Sequence, residues 1–110
     1  MADNEDIYQR MRELAHDYAE AEAKRVYLAE FRKSKKAMLM KEAEVASPGL
    51  SAAAQEREAY ANQEYQDLLK GLEVATEVAL RVRWELKVIE TRFESWRTKQ
   101  ATARAEMQLR

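Results

Sequence analysis

One histidine, no cysteine and two isolated glycines leave this chain of 110 residues few ways to make or break a covalent bond. His16 has no second histidine to share a metal or a proton relay with, and it sits beside Ala15, Asp17 and Tyr18 in a polar helical stretch, as a solvated surface residue would. The acidic pairs Glu42/Glu44 and Glu56/Glu58 are two residues apart. On a helix that spacing puts the two carboxylates on different faces, so they read as solvated charge. Gly49 and Gly71 stand alone and form no phosphate-cradling loop. Without cysteine there is no disulfide framework and no thiolate metal site. The expectation is a protein that is not an enzyme, with no metal, no cofactor and no small-molecule substrate.

Two basic stretches remain that suit an anionic partner. "FRKSKKAMLMK", residues 31–41, contains Arg32, Lys33, Lys35 and Lys36. At 100° per residue these four cover an arc of about 160°, wide enough to track a phosphate backbone. The competing reading is that the arc answers an acidic face elsewhere in the chain. "WRTKQATARAEMQLR", residues 96–110, sets Arg97, Lys99, Arg104 and Arg110 against Glu106, a local charge of +3. Trp96 at its root suits stacking on a base or on a partner. Here the competing reading is a solvated helix end with ordinary dipole-matching bases.

The elements that carry these stretches follow from where the helix breakers lie. Pro48 and Gly49 are adjacent in "EVASPGLSAAA", residues 44–54, and the rest of the chain has one further glycine and no further proline. Charged residues make up 35% of the chain, and Ala, Glu, Lys, Arg and Leu dominate. That profile belongs to long helices or a coiled coil. The spacing predicts one helix over 4–46, a turn at 47–51 and one helix over 52–108, a single helical-hairpin domain spanning 1–110. Asp3 or Asn4 suits the first N-cap, Ser47 or Ser51 the second. Pro48 suits a first-turn position, and the residue before it avoids the helical region.

In the second helix Ala61, Tyr65, Leu68, Leu72, Ala75, Ala79, Val82, Leu86, Ile89, Phe93 and Trp96 alternate steps of four and three, the a/d seam of a coiled coil. In the first, Ile7, Met11, Leu14, Tyr18, Ala21 and Leu28 follow the same rule with Arg25 in the seam. The seam then steps by three to Phe31 and continues through Met38 and Val45. That step reads either as a stammer or as the drift of a helix with about 3.6 residues per turn.

Charge agrees with the apolar spacing. The net charge is −1, but four blocks alternate in sign: −5 over 1–22, +6 over 23–41, −6 over 42–79 and +4 over 80–110. Folding near residue 49 sets position i opposite about 98 − i, and each block then faces one of opposite sign. Exposed ion pairs contribute only ~0.2–1 kcal/mol each, so their role is register and direction. The fold class expected is all-α, a long antiparallel two-helix coiled-coil hairpin assembled into a larger oligomeric helical bundle.

Residues 74–96 are too apolar for one stripe. With Leu72 at zero, Leu80 falls near 80°, Trp84 near 120° and Val88 near 160°, away from the first helix. Contiguous exposed apolar surface marks an interface. Val78, Leu80, Trp84, Val88 and Trp96 are therefore the expected oligomer contacts, against the alternative that they flank the seam.

No run approaches the ~18 apolar residues of a membrane span. The start "MADNEDIYQR" is acidic and polar, unlike a signal peptide. The expected location is the cytoplasm.

The order of an acidic helical start, "YLAEFRKSKKAMLMKEAE", "EREAYANQEYQDLLKGLEVA" and "ETRFESWRTKQATARAEM" resembles small accessory proteins of phage recombination and replication regions, in style the recombination mediator family of T-even phages. The resemblance implies a helical oligomer in the bacterial host cytoplasm. Such a protein would bind single-stranded DNA and work beside a recombinase and a single-strand binding protein. The match to the family's terminal pattern falls on Arg97, Lys99 and Arg104. The alternative function is a coiled-coil adaptor, assembly factor or inhibitor indifferent to nucleic acid.

Overall fold

The computed structural model describes the backbone of residues 3–109 and the side chains of residues 5–109. The described residues are all-α: α1 runs Asp3–Ala46, α2 Ala52–Ala61 and α3 Gln63–Leu109. The cap expected at Asp3 or Asn4 lies outside the described side chains.

The break between α1 and α2 is built from local chemistry. Leu50 N–H donates to the Ser47 carbonyl at 3.1 Å, closing a four-residue turn over Pro48 and Gly49. Gly49 has φ of 91°, in the left-handed region. Proline at the second position and glycine with positive φ at the third are the demands of a type II turn. Pro48 thus belongs to the turn and not to the first turn of the next helix. Ser51 is the N-cap of α2, its side chain accepting from Ala54 N–H at 3.2 Å. Gln55 Nε2 donates to the Leu50 carbonyl at 2.9 Å and ties the turn to the helix.

A second break was not expected. Asn62 is extended, with φ −65° and ψ 135°, and divides the anticipated 52–108 helix in two. Its N–H donates to the Ala59 carbonyl at 3.2 Å, ending α2. Its Oδ1 accepts from Glu64 N–H at 2.8 Å, starting α3. Gln66 Nε2 meets the Tyr60 carbonyl at 2.7 Å, satisfying an acceptor left open at the end of α2. One asparagine acts as C-cap and N-cap together, the short-range bonding that favours Asn at helix ends over helix interiors.

The chain packs as two compact units, Met1–Glu20 with Leu80–Arg110, and Ala21–Ala79. In the first unit the start of α1 runs antiparallel to the latter part of α3. Tyr8 and Phe93 have ring centroids 4.9 Å apart, Arg10 reaches Glu85 at 3.4 Å, and Leu14 and Ile89 are buried. In the second unit α1 runs antiparallel to α2 and to the start of α3. Leu39, Ala59 and Tyr65 form a buried cluster joined by Met40 and Leu69. Cross-helix pairs in both units have position numbers adding to between 92 and 101, around the expected 98.

Most of the seam faces inward. From Tyr65 to Trp96 every expected α3 position is buried or half-buried, as are Ile7 to Phe31 in α1. Three positions depart. Ala61 is exposed at the end of α2, and Ala59 is buried in its place. Met38 and Val45 are 52% and 70% exposed, whereas Leu39 is 2% exposed. Beyond Phe31 the covered stripe passes through Lys35, Leu39 and Ala43, steps of four. The surface facing it there is α2 and the first turns of α3, not one continuous helix, so the stripe rotates around α1 and no strict heptad is kept.

Gly49→Ala forces an L side chain into the left-handed region, although no atom lies within 4 Å of where its Cβ would stand. The substitution is expected to cost about 1–2 kcal/mol through backbone strain alone. Urea unfolding checks this: the midpoint should fall with the slope unchanged.

Candidate nucleic-acid interface

The basic stretch of α1 is divided between two roles. Lys35 is held inward, its side chain 19% exposed, and reaches Glu64 at 3.5 Å. Lys36 bonds Glu56 at 2.9 Å and lies 4.7 Å from the centre of the Tyr60 ring. These two cations answer the acidic faces of α2 and α3, as the competing reading of the arc required. Arg32 is half-buried and Lys33 is exposed, paired with Glu30 at 3.3 Å on its own helix. Arg25, in the seam, is half-buried and paired with Glu22.

Lys36, Glu56 and Tyr60 form a small polar cluster in the second unit. Hydrogen bonding to Tyr60 and then to Glu56 raises the Lys36 ammonium above its ordinary value of 10.5. Hydrogen bonding from Lys36 and then Tyr60 lowers the Glu56 carboxyl below its ordinary 4.5. Glu56 is therefore a specific partner, not the solvated charge its spacing from Glu58 suggested.

The basic end of α3 is different. Residues 97–109 are helical and all exposed. Arg97 pairs with Glu94 at 3.1 Å and lies 6.0 Å from the centre of the Phe93 ring. Arg104 Nε donates to the Gln100 carbonyl at 3.5 Å. Lys99 lines a groove of about 580 Å³ in the first unit, with Trp96, Arg92, Ser95 and Ile89 of α3 and Asp6, Ile7 and Arg10 of α1. Trp96 is half-buried, its ring 6.0 Å from that of Phe93.

The remaining expected contact residues are at the surface. In the first unit Trp84 is 62% exposed, with Leu80 and Val88 exposed along the same helix. Lys87 Nζ lies 5.1 Å from the Trp84 ring centre. In the second unit Val78 is exposed too. His16 is well exposed and 3.7 Å from Glu20. Among the described residues no group of three or more His, Cys, Asp or Glu is placed to hold a metal ion, and no helix is long and apolar enough to cross a membrane.

Arg10 and Arg92 were not singled out from the sequence. A signal for Arg92 was present: Arg92, Ser95, Trp96 and Lys99 follow i, i+3, i+4, i+7 spacing and share one helix face. Arg10 had no such signal, because only the packing of α1 on α3 brings it to that face.

No family model, no curated protein and no solved structure matches the chain.

The lowered Glu56 carboxyl contributes stability above its ordinary value of 4.5, lost as pH falls through the lower folded value. The raised Lys36 ammonium contributes stability below 10.5, lost as pH rises through the higher folded value. Glu56→Gln should therefore lower stability across the interval between 4.5 and 10.5, and the gap from the wild type should close in acid. Thermal unfolding as a function of pH reads this directly; a gap that persists in acid contradicts it.

Proposed function

We propose that this chain is a non-enzymatic, oligomeric helical accessory factor. It binds single-stranded DNA through the exposed basic end of α3. The observation that carries the reading is that residues 97–109 form helix with every residue exposed. Arg97, Lys99 and Arg104 oppose Glu106 alone along that stretch. An exposed helix end carrying excess positive charge suits a phosphate backbone. Arg32 and Lys33 of α1 are a secondary contact, while Lys35 and Lys36 serve the packing of α2 and α3. The setting that fits is phage recombination or replication in the bacterial host cytoplasm, beside a recombinase or a single-strand binding protein.

Self-association multiplies a weak site. Joining several basic ends in one particle raises avidity by ~10²–10⁴ without a new contact. The exposed Leu80, Trp84 and Val88 of the first unit suit that assembly. The same residues favour a second reading, a protein-binding adaptor, assembly factor or inhibitor with no nucleic-acid partner.

Fluorescence anisotropy of a labelled single-stranded oligonucleotide at several salt concentrations separates the two. DNA binding should weaken steeply with salt, and each cation lost from the contact should reduce the log–log slope by roughly 0.7. Reversing Arg97, Lys99 and Arg104 to Glu should abolish it. Absence of binding by the wild type at low salt leaves the adaptor reading.

Size exclusion with light scattering tests assembly. Trp84→Ala should shift the particle to smaller mass, while the three charge reversals leave the mass unchanged. A mass unaffected by Trp84→Ala excludes this row as the self-association surface.

A further inference from the structure

The groove on the first unit combines two features that the exposed end of α3 lacks: an aromatic wall and convergent cations from two helices. Trp96 and the aliphatic side chains of Ile7 and Ile89 form its apolar part. Arg10 enters from α1, and Arg92 and Lys99 from α3. Asp6 is the single acid on the lining, so the local charge is +2. Arg10 is shared with Glu13 and Glu85, each at 3.4 Å, a long separation for a charged pair. Arg92 and Lys99 meet no carboxylate among the described residues.

We propose that this groove is a nucleotide-binding subsite for single-stranded DNA, in which a base stacks on Trp96 and the adjoining phosphodiester lies between Arg92 and Lys99. This rests on the DNA-binding reading above and adds to it a recognition element made by side chains of both helices. The occupant follows from complementarity. A stretch of net positive charge beside an aromatic face fits a polyanion whose bases have π-faces, the combination by which sequence-tolerant single-strand binders work. A duplex buries those faces in its own stack and offers Trp96 only base edges and phosphate. Arg92 supplies a planar fork of donors suited to phosphate oxygens, and Lys99 supplies a second point charge. Trp96 is already steadied against Phe93, so little side-chain freedom is lost when a base docks.

The chain has two tryptophans, at 84 and 96. In Trp84→Phe, used with its particle mass and oligothymidylate affinity matched to the wild type, all indole emission reports on Trp96. Titrating that variant with unlabelled oligothymidylate should quench the emission; an abasic oligomer of equal length should bind with little quenching. Anisotropy with labelled forms of the same oligomers should show the base-bearing strand bound more tightly, on the order of tenfold. Trp96→Leu should remove that preference and keep backbone binding. Arg92→Glu, an exposed position whose replacement leaves the core alone, should weaken both oligomers on the order of tenfold.

Binding of oligothymidylate by the wild type with unchanged affinity in Arg92→Glu and unquenched Trp96 emission overturns the groove and leaves the basic helix end as the site. No binding by the wild type removes the underlying reading and the groove with it. Altered particle mass in Arg92→Glu at unchanged DNA affinity makes the groove a contact between copies and also overturns the proposal.

Discussion

A helix can hide only the stripe that another helix covers, and in this chain that stripe is narrow. Within the first unit Leu14 and Ile89 are buried, while Leu80, Trp84 and Val88 on the same α3 segment lie open. Within the second, Leu39, Ala59 and Tyr65 are buried, while Val26, Tyr27, Met38 and Val45 lie open. No polar or charged side chain is fully buried among the described residues. Small residues at Ala59, Ala75 and Ala79 are buried along the covered line. Within each unit, the apolar side chains that the partner helix leaves uncovered are the surface available to another molecule.

The inward positions of α3 were legible because steps of three and four are a strong periodic signal, and from Tyr65 onward the signal ran without interruption. The turn was legible because Pro48 and Gly49 meet separate backbone demands at adjacent positions. Asn62 was harder. It lies in a run of good helix formers, and nothing nearby is glycine or proline. The clue was local: an asparagine followed two residues later by Glu64, whose charge suits the positive end of a new helix. Once α2 stops there, Ala61 loses its seam position and the stripe on α1 turns from Met38 to Leu39.

Charge blocks gave the right facing in the second unit, where Lys35 and Lys36 meet Glu64 and Glu56. In the first unit one bridge among the described residues joins minority charges, Arg10 from the acidic block and Glu85 from the basic one. Block averages describe a field and leave open which side chains are long enough and near enough to touch. The same gap hid part of the candidate site. The basic character of the end of α3 could be read from sequence alone, since Arg97, Lys99 and Arg104 stand against Glu106 there, and the described residues 97–109 are exposed. Arg10 could not, since its place beside Arg92 depends on how α1 lies on α3.

A cation already paired within the fold must give up that partner to hold a phosphate, and this sets the two basic regions apart. Lys35 and Lys36 are committed to Glu64 and Glu56, and Lys36 also to Tyr60. A polyanion drawing on them would loosen the contacts of α1 with α2 and with the start of α3. Among the described residues Arg92, Lys99 and Arg104 hold no carboxylate, so a phosphate there displaces no ion pair. Neutrality does not alter this. In the first unit six acids and two bases before residue 21 balance eight bases and four acids after residue 79. At physiological salt a charge is felt over only about 8 Å. A ligand at the groove or at the basic end of α3 therefore senses its immediate lining, and that lining is positive although the unit as a whole is not.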